Sequence, residues 1–440
     1  MLNRIVRRSL DVIRLSLAIA GGVVIRHGRR ILRRKPRIWH GLSPLFWETY
    51  MVQADRIAGY ESRILLRDTP QARYQATLIP GVRILGEPEG IRRDEVHWAA
   101  LRDLFFHADI NVAYFDTMYF GGPSVRWANA FMLRLMKLCG IRIIVGAHGG
   151  DVTYRARYRS RYDWVGRVQQ TNPLWDLVET APGTIWRIDT YCKIANLVLP
   201  NDPTLNRFLP RNDLLFKFFA IDTAALPHSG VFDREIPIVI HAPSSRPNKG
   251  TDYIFAALES LRQKGIPFEL RLVEKVPRGE ALKMYESADV VVDQLCIGAY
   301  GTLAIEAMAL GKPTLTYLDQ EHLGDPVFNM PLINANPENI EPVLAVLLQV
   351  PELRRRIGAA SRDAIEKFHS IEAMSAIWDR IYRHVWWGEP LDLNGLPHFD
   401  PARGTRSFTE DPARADFWPV AAEDLGVKIA SALKRAGFGA

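Results

Sequence analysis

Residues 236–318 alternate between two hydrophobic periods. Short continuous apolar runs, PIVIHAPS (237–244), FELRLVE (268–274), VVVDQL (290–295) and PTLTYL (313–318), read as strands. Between them, TDYIFAALESLRQKG (251–265) has apolar residues at 254, 255, 258 and 261 and stops at Gly265, and RGEALKMYESAD (278–289) also reads as a helix. A third helix surrounds Glu306. Strands that are apolar along their whole length, spaced by helices at this pitch, predict a parallel sheet covered on both faces. Ligands of such sheets sit beyond the carboxyl ends of the strands. The loops at that edge bring Ser244, Ser245, Arg246, Lys249, Gln294 and Gly301 toward one crevice.

The first half of the chain predicts a second α/β unit. RIWHGL, SRILLR, INVAYFD, RIIVGAHG, LVLP and LFKFF read as strands. LFWETYMVQADRIAG, RDEVHWAALRDLFFH and NAFMLRLMKLCG have helical periodicity. Past residue 370, SIEAMSAIWDRIYRHVWW is a helix with apolar residues at 371, 374, 377, 378, 381 and 385. The tail 388–440 opens on Gly/Pro/Asp-rich turns and ends in a short helix. It shows no chemistry, and is expected to cover a domain edge or to meet a partner or a second copy of the chain.

The candidate chemistry centres on GAYGTLAIEAMALGKP (298–313). A glycine turn at Gly298 and Gly301 leads straight into a helix, and Gly311 ends it. A helix that begins on glycine presents unpaired backbone N–H groups and the positive end of its dipole, a socket suited to phosphate. Glu306 projects from the first turns, where it is placed to accept hydrogen bonds from the hydroxyls of a sugar attached to that phosphate. The plainer alternative is an ordinary helix–strand turn with a solvated glutamate.

Residues 238–318 resemble the donor-nucleotide half of a GT-B-fold glycosyltransferase of the retaining type called group 1 or family 4. HAPSSRPNKGTDYIFAALESL is similar to that family's strand–loop–helix containing Lys-Gly, and GTLAIEAMALGKPTLTY to its glycine-turn helix with the EAMA box. The resemblance implies an α/β GT-B chain: two Rossmann-like parallel-sheet domains facing across a cleft. It places Lys249 and the backbone of Gly301, Thr302 and Leu303 on the donor diphosphate, and Glu306 on the ribose or the sugar. Two positions depart from the family pattern. Gly298 stands where a glutamate is usual, and Pro243 where an arginine is common. Contacts that the missing glutamate would make must come from elsewhere, with Gln294 a candidate, or be lost.

Strand RIIVGAHG ends in His148-Gly149-Gly150-Asp151. In the resembled family a histidine-glycine-x-aspartate turn here faces the donor across the cleft. On its own chemistry the pair suits hydroxyls and developing charge, and His148 could equally cap the strand through local backbone. The next stretch is dense in arginine and tyrosine. Arg155, Arg157, Tyr158 and Arg159 are the candidate grip on a phosphate-bearing or lipid-linked acceptor, by bidentate guanidinium contacts and ring stacking. A solvated insertion fits the same stretch.

Composition refines this picture. The chain has 440 residues, 48% hydrophobic and 24% charged, enough for two ordinary domains. The formal charge of +7 is uneven. Residues 1–37 hold eleven basic residues against Asp11, leaving 45 basic against 48 acidic in the remainder. A slightly acidic body argues against a general nucleic-acid surface. The leader, with helical spacing at Leu2, Ile5, Val6, Leu10, Ile13 and Leu17, has only residues 15–25 uncharged and apolar. That length spans about half of a ~30 Å hydrocarbon core. The expectation is a basic amphipathic helix lying in the plane of an anionic membrane surface, with a transit peptide as the alternative. Three scattered cysteines suggest neither a disulfide framework nor a zinc site, and no Asp-x-Asp pair is present to hold a metal–diphosphate.

The sequence thus leads to a membrane-associating segment (1–36), an acceptor domain (37–228), a nucleotide-sugar donor domain (229–370), a crossing helix (371–387) and the tail. The expected activity is retaining, metal-independent glycosyl transfer at the cytoplasmic membrane face. It uses a nucleotide-sugar as co-substrate and no other cofactor, and acts on a glycan or lipid-linked acceptor. The alternatives are a catalytically silent assembly subunit and a sugar-nucleotide epimerase.

Overall fold

Two parallel sheets organise the chain in the computed structural model, which describes residues 2–41, 48–67, 82–85, 93–117, 126–153, 182–319, 329–396, 399 and 409–438. The first contains β1 (Ile38–Gly41), β2 (Ser62–Arg67), β3 (Val82–Leu85), β4 (Ile110–Tyr114), β5 (Arg142–Ala147) and β6 (Leu197–Pro200). Its order is β3-β2-β1-β4-β5-β6. The second contains β7 (Ile238–His241), β8 (Glu269–Leu272), β9 (Val290–Val292), β10 (Thr314–Thr316) and β11 (Ile333–Asn334), ordered β11-β10-β9-β7-β8. Every pairing is parallel, for example Ile38 with Ile110 and Ile240 with Val291. These are the two common doubly wound orders, and each reverses direction beside its first strand, where ligands of such sheets bind. β4, β7 and β9 are buried along their whole length, as strands covered on both faces must be.

The helices of the first lobe are α1 (Leu2–Ile31), α2 (Glu48–Ile57), α3 (Arg93–His107), α4 (Arg126–Leu138) and α5 (Pro182–Ile194). Those of the second are α6 (Thr251–Gln263), α7 (Arg278–Glu286), α8 (Thr302–Ala309), α9 (Ile340–Gln349) and α10 (Pro351–Phe368). Then come α11 (Ile371–Trp387) and, in the tail, α12 (Gly426–Arg435).

LFKFF, expected as a strand, is not one. Residues 214–219 pair with no strand among the described residues. Phe216, Phe218 and Phe219 are buried between the lobes, and Phe216 packs edge-on against Trp378 of α11 at 6.0 Å. Burial by side chains from both lobes takes the place of strand pairing. Strands β3 and β11 and helices α5, α9 and α10 escaped the sequence pattern.

α11 returns to the first lobe and packs on α2. Tyr382 donates to Asp55 (2.9 Å) and Tyr60 to Asp379 (2.9 Å), and Trp378, Tyr382 and Trp386 share one core with residues of both lobes. The tail adds Phe417, Trp418, Leu425, Ile429 and Leu433 to the second lobe's core beside α9 and α10, and Asp424 pairs with Arg356 at 2.6 Å.

α1 is docked rather than free. Buried Arg26 donates to the carbonyls of Phe105 (2.7 Å), Ala108 (2.9 Å) and Cys139 (3.0 Å), so one guanidinium caps the carboxyl ends of α3 and α4. Gly22 permits that approach, since a Cβ there would meet the Phe105 carbonyl oxygen at 2.0 Å. Arg29 and Arg37 both pair with Asp109, and Lys35 donates to the Ala58 carbonyl. Part of the leader's basic charge is therefore spent inside the protein. The opposite face of α1 exposes Leu10, Ile13, Leu17, Val24 and Ile31. Among the described residues no helix is long and apolar enough to cross a membrane.

Candidate active site

The carboxyl ends of the two sheets face each other across a cavity of roughly 330 Å³. From the first lobe, His148, Gly149 and Gly150 follow β5, and Asn201 and Asp202 follow β6. From the second, Asn248 follows β7, Gln294 and the turn 297–301 follow β9, and Asp319 follows β10.

Lys249 and Gly301 meet at this edge. A Cβ built on Gly301 would stand 3.7 Å from Lys249 Nζ. Gly250, at φ +72° with Cys296 Sγ 3.0 Å from where its Cβ would be, ends the turn that carries Lys249 and opens α6. The lysine donates to Asp293 Oδ1 and Gln294 Oε1, both at 2.6 Å. Gln294 in turn donates to the Ala299 carbonyl, which pins the glycine turn.

One expectation needs correction here. The Gly301 N–H is not unpaired: it donates to Asp293 Oδ2 at 3.1 Å. Asp293, fully buried, thus holds a carboxylate between a lysine and the start of α8, the place where an incoming anion would lie. Thr302 and Leu303 form the first turn of α8 directly behind it.

Glu306 is not among the residues lining the cavity. It is buried and paired with Arg278 Nε at 2.7 Å, while the Arg278 guanidinium lies 5.7 Å from the ring of Tyr50, across the lobe boundary on α2. Burial pushes the Glu306 carboxyl up, against the pull of Arg278. The structure gives it an ion pair where the sequence suggested sugar hydroxyls. Arg246 also turns away, forming a bidentate pair with Glu274 at 2.8 and 2.7 Å at the surface, and Ser244 is exposed.

Gly298 has a steric reason. A Cβ there would stand 2.6 Å from the Asp319 Cβ. Asp319 begins beside the space a side chain at 298 would use, lines the cavity, and pairs across it with Arg207 at 3.5 Å.

His148 lies between two carboxylates, 3.3 Å from Asp116 and 3.8 Å from Asp151. Burial disfavours its charge, but Asp151 and Asp116 outweigh this and raise its pKa to about 9. Asp151 Oδ1 accepts from the backbone N–H groups of His148 and Gly149, at 3.0 and 2.8 Å, fixing the turn. These three side chains are the one group among the described residues with ligand atoms close enough to share a metal ion. A ligating histidine must be neutral, so its raised pKa competes with that use. Thr153 Oγ1, Asn201 Oδ1 and Asn248 Oδ1, on cavity-lining residues, have no hydrogen-bond partner among the described residues. Such a wall suits a hydroxyl-bearing ligand.

The sequence missed Asp293, Asp319, Arg207 and Lys217. A lone lysine inside the apolar run LFKFF was the available signal for the last. The acceptor candidates Arg155, Arg157, Tyr158 and Arg159 lie outside the described residues.

Two doubly wound parallel sheets, their carboxyl ends facing each other over a polar cleft and strapped by a returning helix, are a recognised arrangement. The fold is GT-B. No family model matches the chain, and no curated protein matches it. Among solved structures it is similar to Anabaena Alr3699/HepE in complex with UDP, at 10% identity over 78% of this chain and 97% of that one, with a TM-score of 0.49. It is also similar to the catalytic domain of starch synthase IV from Arabidopsis thaliana bound to ADP and acarbose, at 11% identity, 80% and 100% coverage and a TM-score of 0.49. A third is WaaG, a glycosyltransferase involved in lipopolysaccharide biosynthesis, at 13% identity, 78% and 99% coverage and a TM-score of 0.44.

Proposed function

We propose that the chain is a retaining glycosyltransferase that draws on a nucleotide-sugar donor bound at the Lys249–Gly301 corner of the cleft. The observation that carries this reading is the meeting of a lysine with the glycine-led start of α8, at the strand ends where GT-B sheets face each other. Asp293 supports it by example, because a carboxylate already bonds both donors. Leaving-group stabilisation by fixed donors in a desolvated cleft is the term that usually dominates such chemistry. The sugar would lie toward His148, Asn201 and Asp319. The acceptor hydroxyl would attack from the face the diphosphate leaves, and its proton would pass to the departing phosphate oxygen. Metal independence belongs to the same reading, supported by the lysine at the socket and by the lack of any Asp-x-Asp pair.

The acceptor in this proposal is a glycan or lipid-linked molecule at the cytoplasmic membrane face. The exposed stripe of α1 supports it, since Leu10, Ile13, Leu17 and Val24 point away from the protein with Arg14 beside them on the exposed surface. The test is a thermal-shift panel of UDP-, GDP-, ADP- and CDP-sugars with and without EDTA, followed by product analysis with donor alone. One donor should stabilise the protein as RT ln(1 + [L]/Kd) in both conditions. No stabilisation by any donor refutes the reading. Conversion of the donor to an epimer without acceptor makes it an epimerase.

A further inference from the structure

The donor corner has a charge deficit. Asp293 is fully buried against Lys249, so that pair brings no net positive charge to a diphosphate carrying at least two negative ones. The arginine common at position 243 in the resembled family is Pro243, and Arg246 is committed to Glu274 at the surface. Within the second lobe none of the residues lining the cavity supplies a second cation, and of those in the first lobe Arg207 faces Asp319 and His148 lies between Asp116 and Asp151.

Lys217 of the first lobe lines the same cavity. Its side chain is 3% exposed, and its ammonium lies 4.8 Å from the ring centroid of Tyr300, the residue immediately before Gly301. Tyr300 is fixed in turn: its hydroxyl bonds His369 Nε2 at 3.1 Å, and His369 Nδ1 faces the Phe219 carbonyl at 2.8 Å. Lysine and glycine turn are thus held to one another by a short chain of buried contacts. The only acid paired with Lys217 among the described residues is Asp202, at 3.6 Å, beyond hydrogen-bond distance. Lys249, by comparison, holds its acid at 2.6 Å.

We infer that Lys217 is the second diphosphate-binding cation, reaching the donor's phosphates from the opposite lobe. This rests on the nucleotide-sugar reading of the cleft. Burial lowers the Lys217 pKa, with Asp202 opposing, so an arriving dianion would favour the charged form against the cost of burial. A diphosphate held between Lys217 and Lys249 also links the two lobes, so donor binding and closure of the cleft become one event.

The test titrates UDP, GDP, ADP and CDP into wild type and carries the tightest binder forward, with its parent nucleoside as the phosphate-free control. Lys217→Met should weaken the diphosphate ten- to hundredfold while changing nucleoside affinity less than twofold. Lys217→Met with Asp202→Asn removes both charges together and serves if the single variant unfolds; it should show the same selective loss. Equal diphosphate affinity in a folded variant overturns the role of Lys217 and leaves the nucleotide-sugar reading standing. Failure of wild type to bind any of the four overturns both.

Discussion

Replacing Lys249 with methionine would remove the proposed phosphate ligand and also uncover a buried acid, and the two effects are separable. The lysine makes two 2.6 Å contacts, to Asp293 and Gln294. Asp293 is 0% exposed, and among the described residues its carboxylate would retain only the 3.1 Å bond from the Gly301 N–H. Stripping the partner from a buried charge costs about 3–5 kcal/mol. At about 2–4 °C per kcal/mol for a domain of this size, Tm should fall by about 6 °C or more. The lost diphosphate contact is charge-assisted and worth about 1.5–3 kcal/mol, so affinity should drop roughly ten- to a hundredfold. Adding Asp293→Asn neutralises the stranded acid: an asparagine carbonyl still accepts from Gly301, so stability should largely return while diphosphate affinity does not. Differential scanning calorimetry and titration calorimetry with the nucleoside diphosphate that stabilises wild type most would measure both. A double variant that binds this nucleotide as tightly as wild type would show that Lys249 serves only to balance Asp293, and the donor site would have to be elsewhere.

Gly298→Ala should lower stability by about 1–3 kcal/mol, because its methyl group would sit 2.6 Å from the Asp319 Cβ and force that loop to move; an unchanged melting curve would remove the steric reason for this glycine. Since burial and the two aspartates leave the His148 pKa at about 9, above its ordinary 6.5, its stabilising charge is fully present below pH 6.5 and lost as pH rises toward 9. The stability difference between wild type and His148→Gln should therefore shrink across that window in urea titrations; a difference independent of pH would contradict a charged imidazole. Ile13→Glu with Leu17→Glu alters only the exposed face of α1 and should reduce binding to anionic phosphatidylglycerol vesicles by roughly tenfold or more, given about 1.5–3 kcal/mol for each buried aliphatic side chain. Deleting residues 1–36 is a poorer test, since it also removes Arg26 from the ends of α3 and α4; equal vesicle binding by the double variant would end the membrane proposal.

Local pattern carried most of the second lobe. Whole-strand hydrophobicity at 238–241 and 290–292 and the glycine-led start of α8 were readable because each is set by neighbours in sequence. The chemistry was less legible wherever a partner is distant. Glu306 has a helix-start position suited to a ligand, yet its environment is set by Arg278 and Tyr50, one of them in the other lobe. Asp293 carries no special pattern, and its role appears only when Lys249 and Gly301 fold onto it. LFKFF has strand composition, but Phe216 packs on Trp378 of α11, more than 150 residues later, in place of a ladder. The leader's charges read as a membrane signal, and nothing local distinguishes Arg26, bound inside, from Arg14, left outside.

The returning helix has a consequence for how the protein is made. Trp378, Tyr382 and Trp386 complete the interior of a lobe whose first strand begins at Ile38. Everything from residue 229 to 370 must leave the ribosome before that lobe is sealed. At roughly 5–20 residues per second, this leaves Tyr50, Met51 and Phe216 unshielded for on the order of ten seconds. Nascent chains stopped short of α11 should therefore be bound by holding chaperones, whereas chains that include it should be released.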